Sequence, residues 1–314
     1  MYINAMGSYV PAQRLGNDYF TSINGLTPEW IEQRTGIRTR SRAGEGENHN
    51  TMGLEAVRDA LKHLPYPVTD VDLIVSAAYS PLDLVGTLAH VAQREFEIDG
   101  AKAVYCSSAC SSFINGLEIV EGYFAMGKAT KALIISSEHN SYYASERDPK
   151  SGHLWGDGAV AWFISKDRVT PDDWQILDIF TEGLGNTGKG PEGVRLRPAE
   201  DGITMPDGRD VFIHACQYMI HALNHSLEHS GLQREDISHF ICHQANKRIV
   251  AQVAHQLDLD MDSFYNNIEE LGNTGSASAA LVLTQYADQV RTGEKTALMV
   301  FGGGYSCGCF IVQK

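Results

Sequence analysis

The sequence predicts an α/β protein made of two related halves, and three observations carry that prediction. Strand-like runs rich in Val, Ile and Ala alternate with amphipathic helical stretches along the 314 residues, the pattern of sheets covered by helices. A polar stretch at 166–174, KDRVTPDDW, divides the chain into portions of similar length and is the strongest internal boundary signal. Each portion also repeats one event, a short strand that delivers a reactive residue to a helix start: AVYCSSAC in the first and HFICHQAN in the second. The expected domains are therefore 1–168, holding a reactive cysteine, and 169–314, holding a histidine and an asparagine.

Strand-like runs fall at 71–78, 102–106, 131–136, 158–164, 237–242 and 296–301. Their near-continuous apolar character predicts that most of them are buried on both faces. After Cys110, the spacing of Phe113, Leu117, Val120 and Phe124 by threes and fours predicts a helix that Gly127 closes. A second stripe through Phe212, Cys216, Met219, Leu223 and Leu227 predicts another, with Gly231 past its end. The run ANKRIVAQVAHQL after His243 reads as a third.

Composition limits the function. With 43% hydrophobic, 9% aromatic and 20% charged residues, the chain is an ordinary globular protein. Its formal net charge of -14 disfavours nucleic acid and anionic membrane surfaces as partners. No apolar run approaches the roughly 20 residues that span a bilayer. The N-terminus, MYINAMGSYVP, lacks the basic and apolar regions of a signal peptide, so a reducing cytoplasm is expected, with the six cysteines as thiols.

Cys110 is the leading candidate for chemistry. A thiol at a helix start faces unpaired N–H groups and the positive end of the helix dipole. An ordinary pKa of about 8.5 leaves roughly 3% thiolate at neutral pH, and a value near 6 would give roughly 90%, so the helix start is expected to multiply nucleophile about thirtyfold. Cys106, Cys216, Cys242, Cys307 and Cys309 lack that context and read as small buried hydrophobes. His243 follows a strand, where α/β folds place active sites. Asn273 stands in the glycine-flanked turn LGNTGSASAA, and Gly302, Gly303 and Gly304 after the last strand let backbone N–H groups approach a ligand closely.

Other patterns fail their context. GLGNTG at 183–188 fits G-x-G-x-x-G, but Lys189-Gly190-Pro191 follows where a helix should open. His214, His221, His225 and His229 lie off the apolar stripe without a carboxylate of the HExxH kind, so no metal site is expected. Arg34, Arg38, Arg40 and Arg42 form a local basic cluster, either plain surface or a dock for a phosphopantetheine arm or an acidic carrier protein.

Together SSACSSFINGL, ICHQANKRI, ELGNTGSASAAL and FGGGYSCG, in this order, resemble β-ketoacyl-acyl carrier protein synthase III and its relatives in the thiolase superfamily. The resemblance extends from INAMGSYVP and WIEQRTGIRTR through LWGDGAVAWF to the C-terminus. It implies a five-layered αβαβα fold of two duplicated halves, a homodimer, and a triad of Cys110, His243 and Asn273. It also implies that Trp30, Arg34 and Arg248 hold the coenzyme A or phosphopantetheine arm, that Phe301 lines the site, and that the N–H groups of Gly303 and Cys110 are the oxyanion donors. The implied substrates are acyl-CoA or acyl carrier protein thioesters and a malonyl-type thioester, with no resident cofactor.

The implied reaction is acyl transfer to Cys110 followed by decarboxylative Claisen condensation. Asn273 stands where elongating ketosynthases have a second histidine, Val300 where degradative thiolases have a second cysteine, and SAAYSPLD at 76–83 lacks the glutamate of the hydroxymethylglutaryl-CoA synthases and head-to-head condensing enzymes. SSACSSF departs from the AACAGF usual in fatty-acid initiation, and the loop 137–155 with Tyr142, Tyr143 and His153 is uncommon. Fatty-acid initiation and secondary-metabolite synthesis of alkylresorcinol, quinolone or polyketide type both remain open, with a donor or acceptor larger or more polar than acetyl expected. The uncommon serines either flank the substrate or merely cap the helix. The alternative functions are an auxiliary subunit of a heteromeric condensing complex and an acyl thioester hydrolase.

Overall fold

The computed structural model describes residues 1–314. Nine strands make the main sheet: β1 (Tyr2–Tyr9), β2 (Leu73–Ala77), β3 (Lys102–Cys106), β4 (Lys131–Glu138), β5 (Gly158–Ser165), β6 (Trp174–Gly183), β7 (His239–Cys242), β8 (Lys295–Gly302) and β9 (Ser306–Gln313). Their order is β7-β8-β9-β6-β1-β5-β4-β2-β3. The join in the middle is slight, since β1 meets β6 only at Tyr2–Gln175 and Ile3–Trp174. The chain crosses between the two strand groups from the end of β5 to the start of β6, across the polar stretch at 166–174.

Seven helices matter for the site: α1 (Pro28–Thr35), α2 (His49–Leu61), α3 (Leu88–Glu95), α4 (Ser112–Ala125), α5 (Gly208–Ser230), α6 (Lys247–Gln256) and α7 (Ser278–Tyr286). Three apolar clusters show how they stack. One joins α2 and α3 to one face of β2, β4 and β5. A second joins α5 and α6 to one face of β7, β8 and β9. The third and largest takes residues of α4 and α7 together with strands of both groups. Helices, sheet, helices, sheet and helices give five layers, with α4 and α7 in the middle.

The expected strands all form, and β2 and β5 are buried throughout. Gly127 and Gly231 end their helices in the left-handed region, at φ 66° and 69°. Three strands of the main sheet lie outside those six runs: Trp174–Gly183 holds the strand-like QILDIF, and the other two went unpredicted. Tyr2–Tyr9 carries Gly7 and Ser8, poor strand formers, and Gly7 is there because a Cβ would lie 2.1 Å from the Ala60 nitrogen of α2. Ser306–Gln313 is masked by two cysteines and a glycine. No helix is long and apolar enough to cross a membrane, and all six cysteines are free thiols.

Candidate active site

Cys110 sits on a sharp turn between β3 and α4. Ala109 is held at φ 51°, a left-handed conformation that disfavours a residue with a Cβ. The turn is tied by its serines. Ser112 Oγ accepts the Ser108 N–H at 2.9 Å and donates to the Ala109 carbonyl at 2.5 Å, and Ser111 Oγ donates to the Ser108 carbonyl at 2.7 Å. Both serines are fully buried and neither lines the cleft, so their role is structural and not substrate contact. Gly302 of β8 presses against the same turn, where a Cβ would lie 2.7 Å from the Ser108 oxygen and 3.0 Å from the Cys110 nitrogen.

His243 follows β7, and its Nδ1 lies 2.7 Å from Ser278 Oγ at the start of α7. Its neighbours are structural. Gln244 Oε1 accepts the N–H groups of Asn267 and Ile268 at 3.0 and 3.2 Å, and Asn246 caps α6 by accepting the Arg248 N–H at 2.8 Å. Asn273 is gripped on three sides: its N–H donates to Leu154, its carbonyl accepts from Gly156, and its Oδ1 accepts the Gly275 N–H at 2.9 Å. With Oδ1 occupied, the Nδ2 donors are what Asn273 has left to offer.

Cys110, His243, Asn273, Phe301 and Gly303 line one narrow chamber of about 30 Å³. Cys110 and Gly303 also line an adjoining cleft of about 660 Å³, walled by Tyr79, Leu84, Tyr143 and Leu196 among others. The sulfur therefore stands where a small closed space meets a large, mostly apolar one.

The helix start does not activate the thiol as expected. Burial pushes Cys110 up to about 12, and the buried charge of Glu138 adds to that, against N–H groups of Gly303 and Cys110 itself and the Tyr79 hydroxyl, which pull it down. The reason lies in the turn. α4 begins only at Ser112, and the N–H groups of Ser111 and Ser112 are already taken by the carbonyls of Ser108 and Ala109 at 3.2 and 3.1 Å. Burial likewise lowers His243 to about 4, so both groups rest neutral.

Trp30, Arg34 and Arg248 come together at the surface. The Arg34 guanidinium lies 5.5 Å from the centre of the Trp30 ring, and Asn246, the cap that precedes Arg248, donates to the Arg34 carbonyl at 3.1 Å. The larger basic cluster dissolves. Arg40 is buried, donating to Leu15, Asn17 and His153, Arg38 pairs with Glu269 and Arg42 with Glu146. Arg34 and Arg40 have no acidic partner, and of the two only Arg34 is exposed.

In the 137–155 loop, Tyr143 lines the cleft and its hydroxyl donates to the Pro81 carbonyl. Tyr142 is exposed beside it, and His153 is buried edge-on to Trp30. The helix histidines separate, with His214 on Asp210, His221 on Glu182, His229 on Asp178 and His225 stacked on Phe180. GLGNTG opens no helix.

Sequence reasoning missed Tyr79, Glu138, Trp155 and Ser278. Glu138 ends a fully buried stretch of β4 and takes N–H groups of Tyr79 and Ser80 and hydroxyls of Ser80 and Ser276. Burial raises its carboxyl to about 7. A lone acid closing the run ALIISS was a readable signal.

Comparison with known proteins places the chain in a family. Residues 106–185 match the family model of 3-oxoacyl-[acyl-carrier-protein] synthase III, and 227–314 match the model of its C-terminal part. The β-ketoacyl-[acyl-carrier-protein] synthase III of Deinococcus deserti is 34% identical, over 97% of this chain and 88% of its own. The crystal structure of 3-oxoacyl-[acyl-carrier-protein] synthase III from Aquifex aeolicus superposes with a TM-score of 0.92 at 30% identity, over 100% of this chain and 99% of its own. A priming β-ketosynthase from a polyketide pathway gives 0.89 at 28% identity, over 99% and 95%. The chain belongs to the 3-oxoacyl-[acyl-carrier-protein] synthase III family of condensing enzymes.

Proposed function

We propose that Cys110, His243 and Asn273 carry out acyl transfer and decarboxylative condensation, with an acyl donor longer than acetyl. The observation that carries this reading is the position of Cys110 between the closed chamber with His243 and Asn273 and the open apolar cleft. A cleft of about 660 Å³ lies mid-range for pockets that enclose whole organic ligands. At about 30 Å³ per heavy atom, the share of a water molecule, an acetyl group would leave most of it empty.

In the first half-reaction Cys110 gives its proton to neutral His243 and attacks the thioester carbon. The oxyanion forms against the N–H groups of Cys110 and Gly303, each such donor contributing about 2.7–4 kcal/mol, and the carrier thiol leaves with the proton. In the second, a malonyl-type thioester loses CO2 in the chamber. Its oxygen, as it becomes an enolate, accepts hydrogen bonds from His243 and from Asn273 Nδ2, an amide donor at any pH. The carbanion attacks the acyl carbon, the C–C bond forms, the bond from that carbon to the Cys110 sulfur breaks, and the released thiolate takes a proton from water. His243 must accept a proton in one half and donate a hydrogen bond in the other. The Ser278 hydroxyl on Nδ1 suits both, because it can accept from or donate to that nitrogen.

Trp30, Arg34 and Arg248 receive the phosphopantetheine arm of coenzyme A or of an acidic carrier protein, and the reaction needs no resident cofactor. A second copy of the chain covers the cleft mouth. That role is supported by the open edge of β3 and by Leu84 and Val85 at the cleft wall, 74% and 87% exposed, since edges and apolar patches of this kind call for a partner. The reading places the enzyme in the cytoplasm.

The test is competition between acetyl and C6–C10 acyl or β-ketoacyl donors, on coenzyme A and on carrier protein, read as the mass of acylated Cys110. A kcat/KM for acetyl-CoA above all longer donors would return the protein to two-carbon initiation. Adduct that clears rapidly without a malonyl-type thioester would identify a hydrolase instead.

A further inference from the structure

Tyr79 takes no part in those steps, yet it shares a cleft with the nucleophile. It stands just past β2 and lines the cleft together with Cys110. Its ring is wedged against the Asn273 turn, where a Cβ on Gly275 would lie 2.4 Å from the Tyr79 oxygen and 2.9 Å from the adjoining ring carbon. The segment is anchored from the other side, with the N–H groups of Tyr79 and Ser80 donating to the Glu138 carboxyl at 3.2 and 3.0 Å. The hydroxyl itself is sealed from solvent and no acceptor takes its proton in good geometry.

An unpaired buried O–H is unfavourable, and where one persists it usually serves something that arrives or something that changes charge. What changes charge beside it is the Cys110 sulfur. The phenol pulls the thiol pKa down. Burial, then the charges of Cys110 and Glu138, raise the phenol's own pKa well above 10, while Asn140 beside it opposes them. Tyr79 therefore keeps its proton and has it to donate.

We propose that Tyr79 is a catalytic residue whose hydroxyl donates a hydrogen bond to the Cys110 sulfur whenever that sulfur carries negative charge. In loading, the thiol proton goes to His243, the bond from sulfur to the acyl carbon forms, and the bond from that carbon to the carrier sulfur breaks. In condensation the new C–C bond forms, the bond from Cys110 to the acyl carbon breaks, and the electron pair returns to the Cys110 sulfur. Tyr79 meets that charge at both points, beside the N–H groups of Cys110 and Gly303. A charge-assisted bond of this kind is about twice as strong as a neutral one. The inference rests on Cys110 as nucleophile and is independent of donor length.

The experiment is Tyr79→Phe, which keeps the ring. The alkylation rate of Cys110 by iodoacetamide is followed by intact mass across pH 7–11 without substrate, beside acyl loading and thermal midpoint. The expected result is alkylation and loading about tenfold slower, an alkylation profile displaced about one unit to higher pH, unchanged KM, and a midpoint as high as the parent's. Rates within twofold of the parent and an unmoved profile would overturn the proposal. A lowered midpoint with an unmoved profile would also overturn it, in favour of a packing role. Failure of Cys110 to be alkylated or acylated in the parent protein would instead remove the nucleophile assignment itself.

Discussion

Replacing Gly302 by alanine should disable the nucleophile without touching any reacting atom. The added Cβ would lie 2.7 Å from the Ser108 oxygen, 2.9 Å from the Ser111 nitrogen and 3.0 Å from the Cys110 nitrogen. All three are backbone atoms of one turn, so no side chain can swing aside. The turn is also held taut by Ala109 at φ 51° and by the serine hydrogen bonds. It must move as a block by several tenths of an ångström, carrying Cys110 with it. Overpacking of this kind costs about 1–3 kcal/mol, and misplacing a reacting group by about 1 Å costs on the order of 100-fold in rate. The expected result is a thermal midpoint lower by a few degrees and acyl loading slower by roughly 30- to 100-fold. Gly304→Ala separates strain from displacement, because its Cβ meets nothing within 4 Å although φ is 94°. That variant should lose stability and keep most of its loading rate. Single-turnover acylation read by intact mass, beside thermal unfolding, measures both. Loading within twofold of the parent in Gly302→Ala would refute the argument that this close approach positions Cys110.

Changing Asn273 to Ala should suppress decarboxylation of a malonyl thioester far more than loading of Cys110, whereas His243→Ala should suppress both because His243 takes the thiol proton in loading, and CO2 release measured beside acyl adduct checks the split. Equal loss in Asn273→Ala would assign Asn273 to the turn alone. Arg34→Ala and Arg248→Ala should each raise KM for the carrier-borne donor and flatten the dependence of kcat/KM on ionic strength, since exposed charges act over about 10 Å in 0.1 M salt. Unchanged KM in both would move the dock to Arg147 and Lys150. Acid should destabilise the fold through its buried histidines. His49, His153 and His243 are each lowered from 6.5 to about 4, burial being the first cause in all three. The native state resists protons that the unfolded chain takes up, so stability is complete above about pH 6.5 and falls as pH drops toward 4, by several kcal/mol in all. Denaturant titrations at pH 7.5 and 5 measure it, and equal stabilities would contradict the burial argument.

The strands and helices that bury their faces were legible because apolar periodicity records burial directly: 158–164 and the helix after Cys110 formed where the pattern placed them. So was the meeting of Cys110, His243 and Asn273, although from family resemblance and not from spacing. What the sequence hid follows from long-range packing. Arg40 looked like a surface cation beside Arg38 and Arg42, and only the folded chain shows it spanning Asn17, Leu15 and His153. The thiol was misjudged for a similar reason. Its helix-start position is visible in the sequence, but the prior claim of Ser108 and Ala109 on the first N–H groups is not.

That misjudgement changes how the site must work. A thiol raised to about 12 facing a histidine lowered to about 4 forms no resting ion pair, since each group would have to be charged against its burial. The proton can move only when something offsets the new charge, and the incoming thioester does so by letting it flow onto an oxygen held by two N–H groups. Nucleophile and acceptor are then created together, which protects an otherwise exposed thiolate from stray oxidation and alkylation. Such a mechanism tolerates little positional slack. The fold meets that demand through its middle layer, because Cys110 leads into α4 and Ser278 opens α7, and both helices pack against the two strand groups at once. Neither can shift without disturbing a face of each, so the sulfur and the imidazole are held by the most enclosed part of the molecule.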